Sequence, residues 1–211
     1  MLRAEGLTKR FRARTGDVTA FEGVDLIATP DRPLVVTGAS GAGKTTLLRI
    51  LAGLEREDFG SVLLDGEPIA MRERLDLAAF AHHSAALWPH RRVRQQTRVN
   101  TKMNESNSDA VIDALDLRDL LDRRPQELSG GQQLRVAVAR ALLSERTVLL
   151  LDEPLAHLDE ARRADLVDVI MSMQQRLGRI VVITSHDLAA FADRSIDRLE
   201  LRTTAGAVGM R

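Results

Sequence analysis

Apolar residues are distributed along this chain with two different periods. Short apolar runs occur at 34–37, 61–64, 148–151 and 180–184, and they are rich in leucine or in β-branched residues. The runs at 148–151 and 180–184 are apolar at successive positions, which is typical of parallel strands that are buried on both faces. The run at 61–64 ends at Asp65-Gly66, which predicts a hairpin-type turn.

Longer segments between these runs have the period of a helix. The segment Glu160–Leu177 predicts a helix because its apolar residues fall on one face, namely Leu166, Val169, Ile170, Met173 and Leu177. A second helix is predicted from Lys44 to about Ala52, closed by Gly53. Alternating strands and helices predict an α/β fold with a mostly parallel sheet. A chain of 211 residues is long enough for one such domain with a sizeable core.

The segment from Arg91 to Asp109 departs from this pattern. It is polar, with few apolar residues and several cations. Residues 104–108 are typical of a loop, and a helix is predicted to resume from about Asp109 through Leu117.

Composition narrows the class of protein. Lys and Arg together number 30 and so do Asp and Glu, so the formal charge is zero and no broad basic field for nucleic acid is expected. The chain has no cysteine, which excludes disulfides and thiolate metal sites. The first residues contain no apolar run after their positive charge, so we expect no secretory signal. The apolar runs are all shorter than the roughly 20 residues of a membrane-spanning helix.

A glycine-rich stretch follows the strand at 34–37. Its sequence, Gly-Ala-Ser-Gly-Ala-Gly-Lys-Thr, matches the P-loop pattern GxxxxGK[ST], which many unrelated nucleotide-binding proteins share. Backbone amides and the following helix N-terminus would surround a triphosphate, the lysine would reach its β- and γ-phosphates, and the threonine hydroxyl would bind Mg²⁺. The residues expected to hold the nucleotide are Gly38, Ala39, Ser40, Gly41, Ala42, Gly43, Lys44, Thr45 and Thr46.

Two acids end the apolar run at 148–151. Asp152 lies at the carboxyl end of a predicted buried strand, where it would hold Mg²⁺ together with Thr45. Glu153 is the candidate general base that polarises the attacking water. An Asp-Glu pair alone is more often a helix cap, but the P-loop favours the catalytic interpretation.

A second anion site is predicted at 128–133, Leu-Ser-Gly-Gly-Gln-Gln. Ser129 suits a helix N-cap, and the glycines leave the first amides of a helix to about Leu143 accessible. A capped surface helix is the plainer interpretation.

Along the chain, the P-loop at 38–45 is followed by the segment at 128–133 and then by Asp152-Glu153. In this order, the three motifs resemble the ATP-binding cassette family, the motor subunits of ABC transporters. The resemblance covers about Leu2 to Ile196. It implies a P-loop NTPase fold of the ABC ATPase type, with an antiparallel β flap from about the first sixty residues and a small inserted helical lobe. The chain would be one domain over 1–211, with core and flap at about 1–84 and 135–211 and the lobe at about 85–134.

The resemblance also implies how the second anion site works. In this family the segment at 128–133 is called the signature loop. Two cassettes would pack head to tail, so that the signature loop of each copy closes on the γ-phosphate held by the other copy. The residues that would act in trans are Ser129, Gly131 and Gln132, and Gly130 is also expected to bind the nucleotide.

Further residues match the family by position. His186 corresponds to the switch histidine that contacts the γ-phosphate, and Asp159 to the loop that couples the two sites. Phe11 fits the aromatic residue that stacks on adenine, although a core or staple role is an open alternative.

One position departs from the family pattern. His83 occupies the place of the usual glutamine at the end of the strand before the lobe. Mg²⁺ prefers oxygen ligands, so an imidazole is a poor substitute, yet it can hydrogen-bond the water and changes charge near neutral pH. An alternative alignment gives this role to Gln95 or Gln96.

The function implied by the resemblance is ATP hydrolysis that powers transport of an unidentified solute. ATP and Mg²⁺ would be the cofactors. The partners would be a second copy, transmembrane permease subunits and, as a further candidate, a solute-binding protein; no nucleic acid is expected.

Trp88 and its neighbouring cations lie where the family receives a permease helix, or they form a solvated charged face with one anchoring aromatic. The chain would lie peripherally on the cytoplasmic face of the membrane. The alternatives are a soluble cassette scaffold and a cassette that hydrolyses ATP only weakly.

Overall fold

The computed structural model describes residues 1–13, 16–82, 84–98 and 105–202. Within these residues, nine strands form two sheets: β1 Leu2–Ala13, β2 Gly16–Ala28, β3 Leu34–Gly38, β4 Phe59–Leu64, β5 Glu67–Pro68, β6 Ala78–Ala81, β7 Val148–Asp152, β8 Ile180–Thr184 and β9 Asp197–Leu201. The α-helices are α1 Lys44–Leu51, α2 Met71–Leu77, α3 Val93–Thr97, α4 Glu105–Ala114, α5 Gly130–Leu142 and α6 Glu160–Leu177.

The central sheet is five-stranded, in the order β6-β7-β8-β3-β9, and every neighbouring pair of strands is parallel. The carboxyl ends of its strands therefore meet at one edge. In the register of β7 and β8, Asp152 lies opposite Thr184, and on the other side of β8 Thr184 lies opposite Val36 of β3. This register brings the ends of the P-loop strand and the acidic strand to either side of β8.

The second sheet is antiparallel, in the order β2-β1-β4-β5, and forms the predicted β flap. Its β4 and β5 are joined at Asp65-Gly66, and Asp65 has φ 52° and Gly66 φ 90°. Positive φ at both central residues is the requirement of a type I′ hairpin turn, so this turn prediction is confirmed.

The period-2 alternation of the parallel strands divides the core into two clusters. One face of the sheet, with Val35, Leu149 and Val181, packs against α5, α6 and the region between β6 and α5. The other face, with Val36 and Leu150, packs against α1 and the antiparallel sheet. Strands buried on both faces explain why their sequences are apolar at successive positions.

The helix α6 has the predicted bounds, but its buried face differs from the prediction. Leu166, Ile170 and Met173 are buried, whereas Leu177 is 43% exposed. Leu177 is the last residue of the helix, and Gly178 in the left-handed conformation (φ 60°) turns the chain away.

The predicted loop at 104–108 and the predicted end of the next helix are wrong. Residue 104 lies outside the described residues, and α4 already begins at Glu105 and ends at Ala114 rather than Leu117. Short polar residues suit the first turn of a helix, so the polarity of this stretch gave no reliable loop signal. The end is fixed by Asp116, which has φ 53°, while the amide of Leu117 donates to the carbonyl of Ile112. That pairing is a Schellman-type stop.

The predicted lobe shares its core with the sheet. Val93, Val111 and Leu115 belong to the same hydrophobic cluster as Leu149 and Leu166. The lobe boundary at about 85–134 stays a prediction. Among the helices that the structure describes, none has the length and apolar character needed to span a bilayer.

Candidate functional site

The P-loop runs from the end of β3 into α1, and its glycines are required by close backbone contacts. Gly38 has φ 144°, and a Cβ there would lie 2.3 Å from the carbonyl oxygen of Leu201. Gly43 has φ 89°, and a Cβ there would lie 2.9 Å from the carbonyl oxygen of Ala20. Both positions combine a left-handed backbone with no room for a side chain, so only glycine fits.

Lys44 opens α1 and is nearly buried, with 7% of its surface exposed. Its Nζ donates to the carbonyls of Gly38 (2.9 Å) and Ala39 (3.2 Å) and lies 3.1 Å from Nε2 of His186. The ammonium group therefore lies inside the curve of the loop, where phosphate oxygens are expected.

Asp152 ends β7 and faces α1 across the sheet edge. Thr45 Oγ1 donates to its Oδ1 (3.2 Å) and Oδ2 (3.0 Å), and Thr184 Oγ1 donates to its Oδ1 (2.8 Å). Asp152 is buried, with 1% of its surface exposed. The structure thus brings the two predicted metal ligands into direct contact.

These two side chains fit Mg²⁺ by the chemistry of their donors. Both offer oxygen, and Mg²⁺ in phosphate sites is held by one or two protein oxygen ligands together with substrate phosphates and water. Across the described residues, no cluster of three or more His, Cys, Asp or Glu side chains is arranged to hold a metal ion by itself. Thr45 and Asp152 could therefore supply two oxygen ligands to a Mg²⁺ ion whose other ligands are phosphate and water.

Glu153 follows Asp152 directly and has an unusual backbone. Its φ is 51°, in the left-handed region that residues other than glycine rarely adopt, and its amide donates to Thr184 Oγ1 at 3.0 Å. Its Oε1 lies 3.2 Å from Nε2 of His186. Glu153, His186 and Lys44, which the sequence predicts as catalytic, thus meet at one point.

The signature segment begins α5 with a complete capping box. The amide of Gln132 donates to Ser129 Oγ (3.3 Å), and the amide of Ser129 donates to Gln132 Oε1 (2.9 Å). A Cβ on Gly130 would meet nothing within 4 Å, whereas one on Gly131 would lie 3.2 Å from Cβ of His157. Gly131 therefore lies close to His157, in the segment after Glu153.

Asp159 is the N-cap of α6. Its Oδ1 accepts from the amide of Arg162 at 3.0 Å, and its Oδ2 lies 3.2 Å from Nε of the same residue. The amide hydrogen bond, helped by the guanidinium charge, holds the pKa of Asp159 below its usual range. These contacts explain Asp159 as a helix cap. Its role in coupling the two sites stays a prediction.

The remaining predicted residues have different outcomes. Phe11 on β1 is 39% exposed, and Lys9 Nζ lies 5.1 Å from its ring centroid, so adenine stacking stays a prediction. His83 lies outside the described residues. Gln96 donates from Nε2 to the carbonyl of Trp88 (2.7 Å), and Gln95 Oε1 accepts from the amide of Arg92 (2.9 Å). The side-chain amides of both glutamines are therefore hydrogen-bonded within the predicted lobe. This does not favour the alignment in which Gln95 or Gln96 takes the role of His83.

Sequence reasoning missed two residues of the site, Thr184 and His157. The sequence predicts Thr184 only as the last residue of a strand, whereas the strand register places it opposite Asp152. His157 has φ 62° and packs against Gly131. Its contact joins segments that are distant in sequence, so no local pattern could have indicated it.

At the edge of a parallel sheet, the P-loop lysine contacts a histidine that lies next to a glutamate, and the P-loop threonine contacts an aspartate. This arrangement defines a P-loop nucleotide hydrolase. Similarity to known proteins identifies the family within this class of hydrolases. The family model described as ABC transporter matches residues 21–156. The chain belongs to the ABC transporter family, as one of the ATP-binding subunits that hydrolyse ATP to power transport.

Curated relatives differ in how much of their length this chain covers. It is 33% identical to the lipoprotein-releasing system ATP-binding protein LolD of Bacteroides fragilis, over 95% of this chain and 98% of LolD. It is 38% identical to the xylose/arabinose import ATP-binding protein XacJ of Haloferax volcanii, over 86% of this chain but only 49% of that protein. The chain thus spans about half the length of some relatives and nearly the whole of others.

Solved structures confirm the fold. A bacterial ABC transporter cassette solved as a dimer aligns with a TM-score of 0.82 at 23% identity, covering 96% of this chain and 95% of that one. A post-hydrolysis state of such a cassette, bound to ADP and phosphate, aligns with a TM-score of 0.81 at 23% identity, covering 97% of both chains.

Proposed function

We propose that this chain hydrolyses ATP with Glu153 as general base, Lys44 as phosphate ligand and His186 as the group that contacts the terminal phosphate. The observation that carries this proposal is the meeting of all three side chains at one sheet edge, with His186 Nε2 3.1 Å from Lys44 Nζ and 3.2 Å from Glu153 Oε1.

Each residue has a role that its position supports. Lys44 neutralises phosphate charge, and the amides of the P-loop and the start of α1 surround the phosphate oxygens. Glu153 accepts the proton of the attacking water. Thr45 and Asp152 would hold Mg²⁺, which screens the negative charge of the phosphates when it is bound.

The working unit in this proposal is a head-to-tail pair. The first turn of α5 carries backbone amides, with open space next to Cα of Gly130 and a complete cap at Ser129, and within one copy Gly131 lies against His157. A second copy would supply the phosphate that these amides bind. The dimeric state of a solved cassette with the same fold supports this arrangement.

A permease is the proposed membrane partner, and its contact site is the surface around Trp88. Trp88 is 37% exposed, and the guanidinium carbons of Arg91 and Arg140 each lie 4.8 Å from its ring centroid. Gln96, fully buried, donates to the carbonyls of Trp88 and Arg91 and so fixes this loop. The ring lines a cavity of about 870 Å³, large enough for a short helix end. This contact would hold the chain on the cytoplasmic face of the membrane.

The test replaces the general base. Glu153→Gln is expected to lower ATP hydrolysis by about 10²- to 10⁴-fold, the usual share of a general base, while ATP is still bound. Light scattering with ATP and Mg²⁺ should then show a stable dimer. Glu67→Gln, on the exposed β5, is the matched control and should behave as wild type. Unchanged hydrolysis in Glu153→Gln, or a variant that stays monomeric with ATP, contradicts the proposal.

The transport role has its own test. Co-purification with a polytopic membrane protein is expected for the wild type and should be lost in Trp88→Ala. Recovery of only soluble proteins would favour the scaffold alternative.

A further inference from the structure

Thr184 ends β8, the middle strand of the parallel sheet, and is fully buried. It pairs with Asp152 on one side and with Val36 on the other. Its side chain therefore lies between the strand that carries the two acids and the strand that enters the P-loop.

The hydroxyl of Thr184 makes two hydrogen bonds of opposite sense. It donates to Asp152 Oδ1 at 2.8 Å and accepts from the backbone amide of Glu153 at 3.0 Å. A hydroxyl has a single hydrogen to donate, so this donor is committed to the carboxylate. Asp152 Oδ1 also accepts from Thr45 Oγ1 at 3.2 Å, which places the two threonine hydroxyls on one carboxylate oxygen.

The second bond fixes a strained backbone. Glu153 has φ 51°, a conformation that persists at a residue with a side chain only where the surroundings impose it. An acceptor for the amide of Glu153 is one such constraint, and it sets the direction in which the carboxylate of Glu153 leaves the strand.

We infer that Thr184 is a positioning residue for ATP hydrolysis, because one buried hydroxyl fixes both the carboxylate that would hold Mg²⁺ and the backbone of the general base. This inference rests on the proposed function, since it concerns the same site. Valine has nearly the same shape but neither donates nor accepts, so Thr184→Val removes both bonds and keeps the packing volume.

The experiment compares Thr184→Val, Thr184→Ser and wild type. Calorimetry measures the affinity for ATP with and without Mg²⁺, and steady-state kinetics measure kcat and the Mg²⁺ concentration for half-maximal rate. In Thr184→Val, the gain in ATP affinity on adding Mg²⁺ is expected to be about 10- to 100-fold smaller than in wild type, and kcat is expected to fall by a similar factor. This is the usual effect of removing a hydrogen-bond partner of a metal ligand. ATP affinity without Mg²⁺ should be unchanged because the P-loop is intact.

Two variants separate the hydroxyl from packing. Thr184→Ser keeps the hydroxyl and should restore the Mg²⁺ dependence of the wild type. Thr97→Val makes the same change at a buried threonine in α3, whose hydroxyl donates to the carbonyl of Val93 at 3.2 Å, and should leave ATP affinity and kcat unaltered.

The inference is overturned if Thr184→Val keeps the Mg²⁺-dependent gain and the rate, or if Thr184→Ser loses as much as Thr184→Val. Should Thr184→Val not fold, Thr184→Ala against Thr184→Ser gives the same comparison, because these two variants differ only in the hydroxyl. A wild-type protein that binds ATP with Mg²⁺ but does not hydrolyse it would contradict the proposed function, and the affinity measurement would still decide the role of Thr184.

Discussion

The imidazole of His186 lies against the ammonium group of Lys44, with 3.1 Å between Nε2 and Nζ. The same Nε2 is 3.2 Å from Oε1 of Glu153. A ring nitrogen without hydrogen accepts from Lys44, whereas Oε1 of Glu153 is buried and has no hydrogen-bond partner among the described residues. His186 therefore contacts the P-loop lysine and lies next to the proposed general base, although 142 positions separate it from Lys44 in sequence.

Replacing His186 by alanine is expected to slow hydrolysis more than it weakens ATP binding. A hydrogen bond to a charged group is worth about 1.5–3 kcal/mol, which corresponds to roughly 10- to 150-fold in rate. Single-turnover hydrolysis and equilibrium ATP binding measure the two effects separately. His90→Ala removes an exposed histidine in the predicted lobe and should leave both at the wild-type value. An equal loss of binding and rate would show that His186 acts in ground-state binding alone.

The start of α5 gives a second prediction, for stability. Gly130→Ala adds a methyl group in open space and should be neutral or stabilising by up to about 1 kcal/mol. Gly131→Ala adds one at 3.2 Å from Cβ of His157 and should be less favourable than Gly130→Ala by about 1 kcal/mol, the low end for overpacking. Urea unfolding of both variants measures the difference.

The control for that prediction removes Cβ of His157, the atom that the new methyl group of Gly131→Ala would contact. His157→Gly takes away the Cβ and also relieves a left-handed backbone at φ 62°, so in its background the two alanine variants should become equivalent. A difference between Gly130→Ala and Gly131→Ala that persists without the side chain of His157 would contradict the assigned contact.

Periodicity and motif spacing predicted the parts of this fold that depend on local sequence. The strands at 148–151 and 180–184 and the bounds of α6 are confirmed because each has a burial pattern that is visible in its own residues. The P-loop residues Gly38 and Gly43 were predictable for a related reason, since a left-handed backbone with no room for a Cβ requires glycine wherever it occurs.

Features that depend on pairing between distant segments were not predictable in this way. The bridge from Thr184 to Asp152 and Glu153 follows from the register of β7 against β8, which no window of sequence contains. The left-handed backbone of Glu153 has no sequence signal either, because glutamate rarely adopts it. The end of α4 was missed because Asp116, rather than glycine, takes the left-handed position that stops the helix.

Acid stability provides a test of the cap on α6. The pKa of Asp159 is lowered in the folded protein, so its ionised form stabilises the fold above the unfolded-state pKa, and this contribution is lost as the pH falls through the folded-state pKa. Asp159→Asn keeps a capping oxygen but cannot titrate. Urea unfolding is therefore expected to show a smaller loss of stability between pH 5 and pH 2 for Asp159→Asn than for wild type. Equal losses would show that the carboxylate contributes nothing through its charge.

His83, which lies outside the described residues, takes the place of the glutamine in the family pattern. The pH dependence of turnover tests the effect of this replacement. Imidazole is a poor ligand for Mg²⁺ and changes its charge near neutral pH, so turnover is expected to be slower or more dependent on pH than in relatives with glutamine. His83→Gln should raise the rate or flatten the profile across roughly pH 6–8. His90→Gln, the same change at an exposed histidine, should leave the profile as it is. ATPase activity of His83→Gln that matches wild type at every pH would show that this position does not limit hydrolysis.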